Sequence, residues 1–243
     1  MRKEKNTPAK KSRYPGPATL IKKSASVILY GVFKKKLSAA EEGAYWSERA
    51  KDFEEEMKSM KEDEYYRTYD KKILSEIQAL NNVNSILEVG CYYGYRLSLL
   101  RKSFPDKSLV GCDLGHRQLA ISKQKFFKDN GVGLVRCNAA HLPFKDNSFD
   151  LIFTSACLQH VPNSDIDRII GEFRRVSKKY LLLVEVYLKH MSLRKRIEYL
   201  GINYFYMHDY EKILKKHGFQ KLKVFGIPDK NNHCRYSLFL YSK

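Results

Sequence analysis

From Ser85 to the C-terminus, apolar runs suited to strands alternate with segments of helical periodicity. Strands are expected at Ile86–Val89, Leu109–Asp113, Gly133–Cys137, Asp150–Ser155, Tyr180–Val186, Lys221–Phe225 and Tyr236–Tyr241. Helices fall between them, at about Tyr95–Ser103, His116–Asp129, Asp165–Ser177 and Asp209–His217. Alternation of this kind predicts an α/β architecture: a largely parallel sheet covered by helices on both faces. Such sheets bind ligands beyond the carboxyl ends of their strands, where strand order reverses, so the chemistry belongs at that rim.

Three strand ends carry the signals. The first strand enters a turn, SILEVGCYYGYRLSLL, where Gly90 and Gly94 permit positive φ and close backbone approach. The helix that follows offers free N–H groups to a ligand, and Glu88, just before the turn, can accept bonds from an amine. The second strand ends in Asp113, 23 residues after Gly90, an offset that places an acid against a ribose diol. An Asp there also suits a helix N-cap. The third ends in Asn138, whose amide can pair with an adenine edge. A loop, LPFKDNSFD, leads into the fourth strand.

The run LEVGC-x-x-G, an Asp at the next strand end, and LPF-x-DNSFDLI together resemble the class I SAM-dependent methyltransferases, in the branch acting on varied small molecules and lipids. IIGEFRRVSKKYLLLVE and HDYEKILKKHGFQKLKVFG resemble that family's fifth-strand region and its last helix and sixth strand. The resemblance runs from about Tyr65 to the C-terminus. It implies a Rossmann-like seven-stranded sheet of order 3-2-1-4-5-7-6 with the seventh strand antiparallel, and S-adenosyl-L-methionine as cofactor. Glu88, Gly90, Cys91 and Gly94 would then border its methionine part. Asp113 would hold the ribose hydroxyls, Leu114 would lie against the adenine, and Asn138 and Ala139 would meet the adenine edge. Thr154 and Ser155 would lie near the methyl group. Tyr92 stands where the family usually has glycine, and Tyr92 or Tyr93 could face the sulfonium through a cation–π contact. Asn138 replaces the usual acid. His160, just past the fourth strand, is the best-placed general base should the acceptor be a hydroxyl. His208 and Asp209 begin the last helix, where Asp209 suits the helix dipole. Tyr204, Phe205 and Tyr206 could line an acceptor pocket, and His141 sits in a loop.

Before this domain (83–243) come a helical lead-in (37–82) and a basic arm (1–36). In the lead-in, Tyr66, Tyr69, Ile73, Ile77 and Leu80 recur at helical spacing. The chain's net charge is +18. The arm alone carries eleven Lys/Arg against the single acid Glu4, a net +10, which suits phospholipid or nucleic acid as well as a solvated tail. Within it, the apolar stretch 18–33 with its lysines fits a short helix lying on an anionic membrane or one packed on the domain. No secretory signal is read in this start. Five cysteines without a C-x-x-C pair argue against a disulfide framework or a zinc site, and for a reducing, cytoplasmic location with possible peripheral membrane contact. Alternation along the strands would turn Cys112 and Cys137 away from a ligand bound at Asp113 and Asn138. The leading expectation is methyl transfer to a small-molecule, lipid or glycan acceptor without a metal. The alternatives are RNA methylation using the arm, and a non-catalytic protein that keeps the fold. G-x-G-x-x-G is absent, which disfavours a nicotinamide-dependent dehydrogenase.

Overall fold

The computed structural model describes residues 39–48, 53–127, 131–187, 189, 206–229 and 234–243. The arm 1–36, its apolar stretch 18–33, and Tyr204 and Phe205 lie outside the described residues. Three helices open the described chain: α1 (Ala39–Glu48), α2 (Phe53–Glu62) and α3 (Glu64–Gln78). Asp63 caps α3 by accepting the Tyr65 N–H at 2.8 Å. The helical spacing read in the sequence is the buried stripe: Tyr69, Ile73 and Ile77 are enclosed, with Tyr66 and Leu80 half-buried at its ends.

Strands and helices then alternate as β1 (Ser85–Val89), α4 (Tyr95–Ser103), β2 (Ser108–Asp113), α5 (His116–Lys125), β3 (Gly133–Arg136), β4 (Phe149–Ser155), α6 (Ile166–Val176), β5 (Ser177–Val186), α7 (Tyr210–Lys216), β6 (Gln220–Pro228) and β7 (Cys234–Ser242). They form one sheet of order β3-β2-β1-β4-β5-β7-β6. The pairings from β3 to β5 are parallel, and β7 runs antiparallel to both β5 and β6. This is the Rossmann-like order expected, and the strand order reverses between β1 and β4.

Side-chain alternation splits the core into two layers. On one face Ile86, Phe153, Val184 and Leu238 pack with Tyr69 and Ile77 of α3 and Leu97 and Leu100 of α4. On the other, Leu87, Ile152, Leu183 and Phe239 pack with Ile170 and Phe173 of α6 and Leu214 of α7. All seven residues of β4, at the centre of the sheet, are buried.

Several boundaries differ from expectation, and two of them have a visible physical reason. β5 begins directly after α6, three residues before Tyr180, because Arg175 and Val176 at the helix end are already engaged with the loop before β4. Arg175 donates to the carbonyls of Leu142 (2.9 Å) and Phe144 (2.7 Å) and to Asp146 (2.8 Å). In return Asn147 N–H and Ser148 N–H bond to the carbonyls of Arg175 and Val176, each at 2.9 Å. This exchange is what the LPFKDNSF loop and the R-V pair do for one another. α5 stops at Lys125, short of Asp129: Phe126 leaves helical backbone geometry, and Phe127 buries its ring beneath Gly94.

The first turn of the sheet is pinned by Asp150. Its Oδ2 accepts from Asn84 N–H (2.9 Å), Ser85 N–H (3.0 Å) and Ser85 Oγ–H (3.0 Å), fixing the start of β1 against β4. Bonds to a charged acceptor are the stronger kind, so Asp150→Ala is expected to lower unfolding stability by about 2–3 kcal/mol, read as a reduced urea midpoint at unchanged slope.

Candidate active site

The site is built from the turn after β1. Gly90 and Gly94 both take φ of 74°, and glycine is required at each for space as well. A Cβ on Gly90 would run into the Cys157 thiol, and one on Gly94 into Ser122 Oγ and the Phe127 ring. The N–H groups of Gly90 and Cys91 both bond to Cys112 O, at 2.8 and 3.0 Å, which locks the turn to β2. Tyr92, at the position where glycine is usual in the resembling family, adopts φ 51° and keeps the left-handed turn despite its side chain. A left-handed residue of this kind costs about 1–2 kcal/mol. Its N–H donates to Asp113 Oδ2 at 2.9 Å, while Asp113 Oδ1 accepts Gly115 N–H at 2.8 Å. Burial pushes the Asp113 carboxyl above the usual range, opposed by the N–H groups of Gly115, Tyr92 and Leu114.

These strand ends surround a cavity of about 490 Å³, a size ordinary for small-molecule sites. Of the twelve residues expected at the site, ten border it: Glu88, Gly90, Cys91, Tyr92, Asp113, Leu114, Asn138, Ala139, Ser155 and His160. The other two do not border it. Gly94 serves packing under the turn. Thr154 is fully enclosed and donates its hydroxyl to Glu185 of β5, because it occupies the sheet face opposite Ser155. Ser155 in turn bonds the Tyr69 hydroxyl from α3. Asn138 Oδ1 accepts Ala140 N–H at 2.9 Å, which leaves its NH₂ as the group to offer an acceptor edge.

Cys112 and Cys137 also border the cavity, contrary to the alternation argument. β3 ends at Arg136, so strand alternation no longer governs Cys137, and its thiol meets that of Cys112. His160 borders the cavity with its ring centre 4.8 Å from that of Trp46 and its Nε2 3.2 Å from Gln159 Nε2. His141 is exposed at the rim. His208 lies apart from it: its Nε2 meets the carbonyls of Leu158 (3.1 Å) and Val161 (3.0 Å), and burial lowers its pKa. Asp209 caps α7 by accepting Lys212 N–H at 3.2 Å, and Tyr206 is tied by its N–H to Gln159 O at 2.7 Å.

Sequence reasoning missed the second wall. α1 and α2 bring Glu42, Trp46, Glu56 and Met60 to the cavity. α1 is fastened to α5 through Gln118, whose amide donates to Trp46 O, and through the Ser47–His116 pair at 3.0 Å. Phe53 of α2 packs edge-on against Tyr93 at 4.7 Å, so Tyr93 is enclosed under α2, and both Tyr92 and Tyr93 border the cavity. Arg96 was missed as well, although a charged residue one position into a helix that follows a glycine turn was its signal. Among the described residues no group of three or more His, Cys, Asp or Glu could hold a metal, and no helix is long and apolar enough to cross a membrane.

Residues 87–183 match the family model described as a methyltransferase domain. A demethylmenaquinone methyltransferase of Lactiplantibacillus plantarum is 30% identical over 123 residues, 49% of this chain and 51% of that protein. A malonyl-[acyl-carrier protein] O-methyltransferase of a Marinomonas species is 29% identical over 97 residues, 39% of this chain and 36% of the relative. The chain thus spans about half the length of the first of these relatives and less of the second. Among solved structures, magnesium protoporphyrin IX methyltransferase from Synechocystis, holding SAH, superposes with a TM-score of 0.67 at 15% identity, over 85% of this chain and all of that one. Phosphoethanolamine N-methyltransferase 2 of Haemonchus contortus, in complex with S-adenosyl-L-methionine, gives 0.61 at 19% identity, over 72% of this chain and 52% of that one. The fold is that of the Rossmann-like methyltransferases.

Two buried carboxyls mark the site's electrostatics. Desolvation pushes Glu88 up to about 8, against the pull of Arg96, and Glu185 up to about 7. The native state therefore holds protons that the unfolded chain releases near the ordinary carboxylate range. Stability from this source is present at low pH and is lost as pH rises through 7 to 8. Denaturant unfolding of the ligand-free protein between pH 6.5 and 9 is expected to show a falling free energy, with a shallower fall in Glu88→Gln.

Proposed function

We propose that this chain transfers a methyl group from S-adenosyl-L-methionine to a small-molecule acceptor. The observation that carries the reading is the cavity itself. It opens where the sheet order reverses, between the ends of β1 and β4, and is bordered by Gly90, Asp113 and Asn138, all within the segment that matches the methyltransferase domain. The residues fit the cofactor's chemistry. Asp113 offers a carboxylate already fixed by two N–H groups, suited to a ribose diol, and Asn138 and Ala139 border the same rim for an adenine edge. Glu88 Oε2 is buried and without a hydrogen-bond partner, so it can take the donor's ammonium.

The cofactor supplies an electrophilic methyl on a sulfonium. The chain's part is to align and to exclude water, the means by which displacement at such a carbon is accelerated. Trp46 and Met60 from the lead-in helices, together with Tyr92, supply the apolar cover, and His160, beside Trp46, is the group to accept a proton from a hydroxyl or ammonium acceptor. A small-molecule acceptor is supported by the named substrates of the relatives, which include demethylmenaquinone and malonyl-[acyl-carrier protein].

Calorimetric titration with S-adenosyl-L-methionine and its demethylated product tests the reading. Binding to the wild type, weakened at least tenfold in Asp113→Ala, is expected. No binding by folded protein at millimolar ligand would leave a chain that keeps the fold without the activity. Once binding is established, His160→Ala is expected to lower kcat about tenfold or more while leaving cofactor affinity within twofold.

A further inference from the structure

One end of the cavity is bordered by two ionisable groups of opposite kind, Glu88 and Arg96, close enough to act on one another. Glu88, the next-to-last residue of β1, is 2% exposed. It receives Leu97 N–H from the first turn of α4, and its Oε2 has no hydrogen-bond partner. Arg96, the second residue of α4, has a side chain only 12% exposed. Its guanidinium lies over the Tyr69 ring, 4.8 Å from the centre, with Nε 3.3 Å from Asp70 Oδ1 of α3. That contact is an ion pair without hydrogen-bond alignment: Arg96 Nε is buried and unbonded, and Asp70 also interacts with the Tyr95 hydroxyl. Tyr69, Asp70 and Glu88 all favour the charged guanidinium. Glu88 and Arg96 both border the cavity, and Asp70 does not.

A structural ion pair would explain Arg96 and Asp70 alone. It does not explain why Arg96 borders the cavity together with Glu88, whose second oxygen is unbonded. A simple cation would satisfy Glu88 and leave Arg96 facing like charge, and a simple anion would do the reverse. An α-amino carboxylate carries both charges on one carbon and answers both groups.

We infer that Arg96 reads the carboxylate of the amino-acid end of the methyl donor, opposite Glu88 on its ammonium, with Asp70 as the positioning residue that aims the guanidinium. The inference rests on the cofactor reading above. It adds a recognition residue beyond those the sequence pattern pointed to, and it gives α3, outside the segment 87–183 that matches the methyltransferase domain, a part in cofactor binding.

The test compares ligands that differ only at that end. Titrations use the full chain with S-adenosylhomocysteine, its decarboxylated analogue and 5′-methylthioadenosine. The wild type is expected to bind S-adenosylhomocysteine at least tenfold more tightly than the decarboxylated analogue. Arg96→Met is expected to remove that preference while leaving 5′-methylthioadenosine within twofold, which also reports an intact adenosine pocket. Arg96→Lys should retain part of the preference, and Asp70→Asn should weaken it without abolishing it. Equal wild-type affinity for the first two ligands overturns the inference without any variant having to fold. So does an Arg96→Met protein that loses all three ligands in proportion. A wild type that binds none of the three overturns the cofactor reading itself, and this inference with it.

Discussion

The carboxylate of Asp113 holds two turns at once. One oxygen takes the N–H of Tyr92 from the turn after β1, and the other takes the N–H of Gly115 at the start of α5. Neighbouring parallel strands are thereby joined beyond their last ladder bonds, alongside the bonds from the Gly90 and Cys91 N–H groups to Cys112 O. The bond to Tyr92 also stabilises a left-handed backbone in a residue that does not favour it, so the turn survives the loss of a glycine. The cavity floor depends on that geometry, because Gly90 can approach Cys157 of the neighbouring crossover only while the turn keeps its course.

Around this floor the polar groups are placed by elements distant in sequence. Glu185 reaches from β5 to receive Thr154 Oγ1–H and the N–H groups of Cys157 (3.1 Å) and Gln159 (3.4 Å), holding the segment that carries His160 against the cavity. Tyr69 and Asp70 reach from α3 to Ser155 and Arg96. Every charge so used is buried, and burial raises the pKa of Glu88 and Glu185 toward neutrality. These groups are thus desolvated by the fold itself.

Much of this was legible in the sequence. Apolar runs between helical segments marked the seven strands, and the glycine turn, Asp113 and Asn138 marked the rim, because strand ends in an α/β sheet converge on one edge whatever the details of packing. The ends of elements were less legible. β5 started early because Arg175 bonds a loop thirty residues back, an interaction with no local signal. Thr154 lies off the cavity because adjacent residues on a strand face opposite sides, and the sequence alone did not say which of Thr154 and Ser155 faces it. The roof was not legible at all. Residues 39–62 read as a charged helical stretch, and only their docking on α5 and Tyr93 turns Trp46 and Glu56 inward.

The sequence by itself determined the alternating architecture, the turn chemistry and the set of residues at the strand ends, since these follow from backbone periodicity and from what glycine and short polar side chains permit. Only the tertiary structure decided which charges are buried together. Glu88 is near Arg96 in the chain, but Asp70 and Tyr69 come from a separate helix, and the desolvation that gives the group its character exists only once α3 covers it.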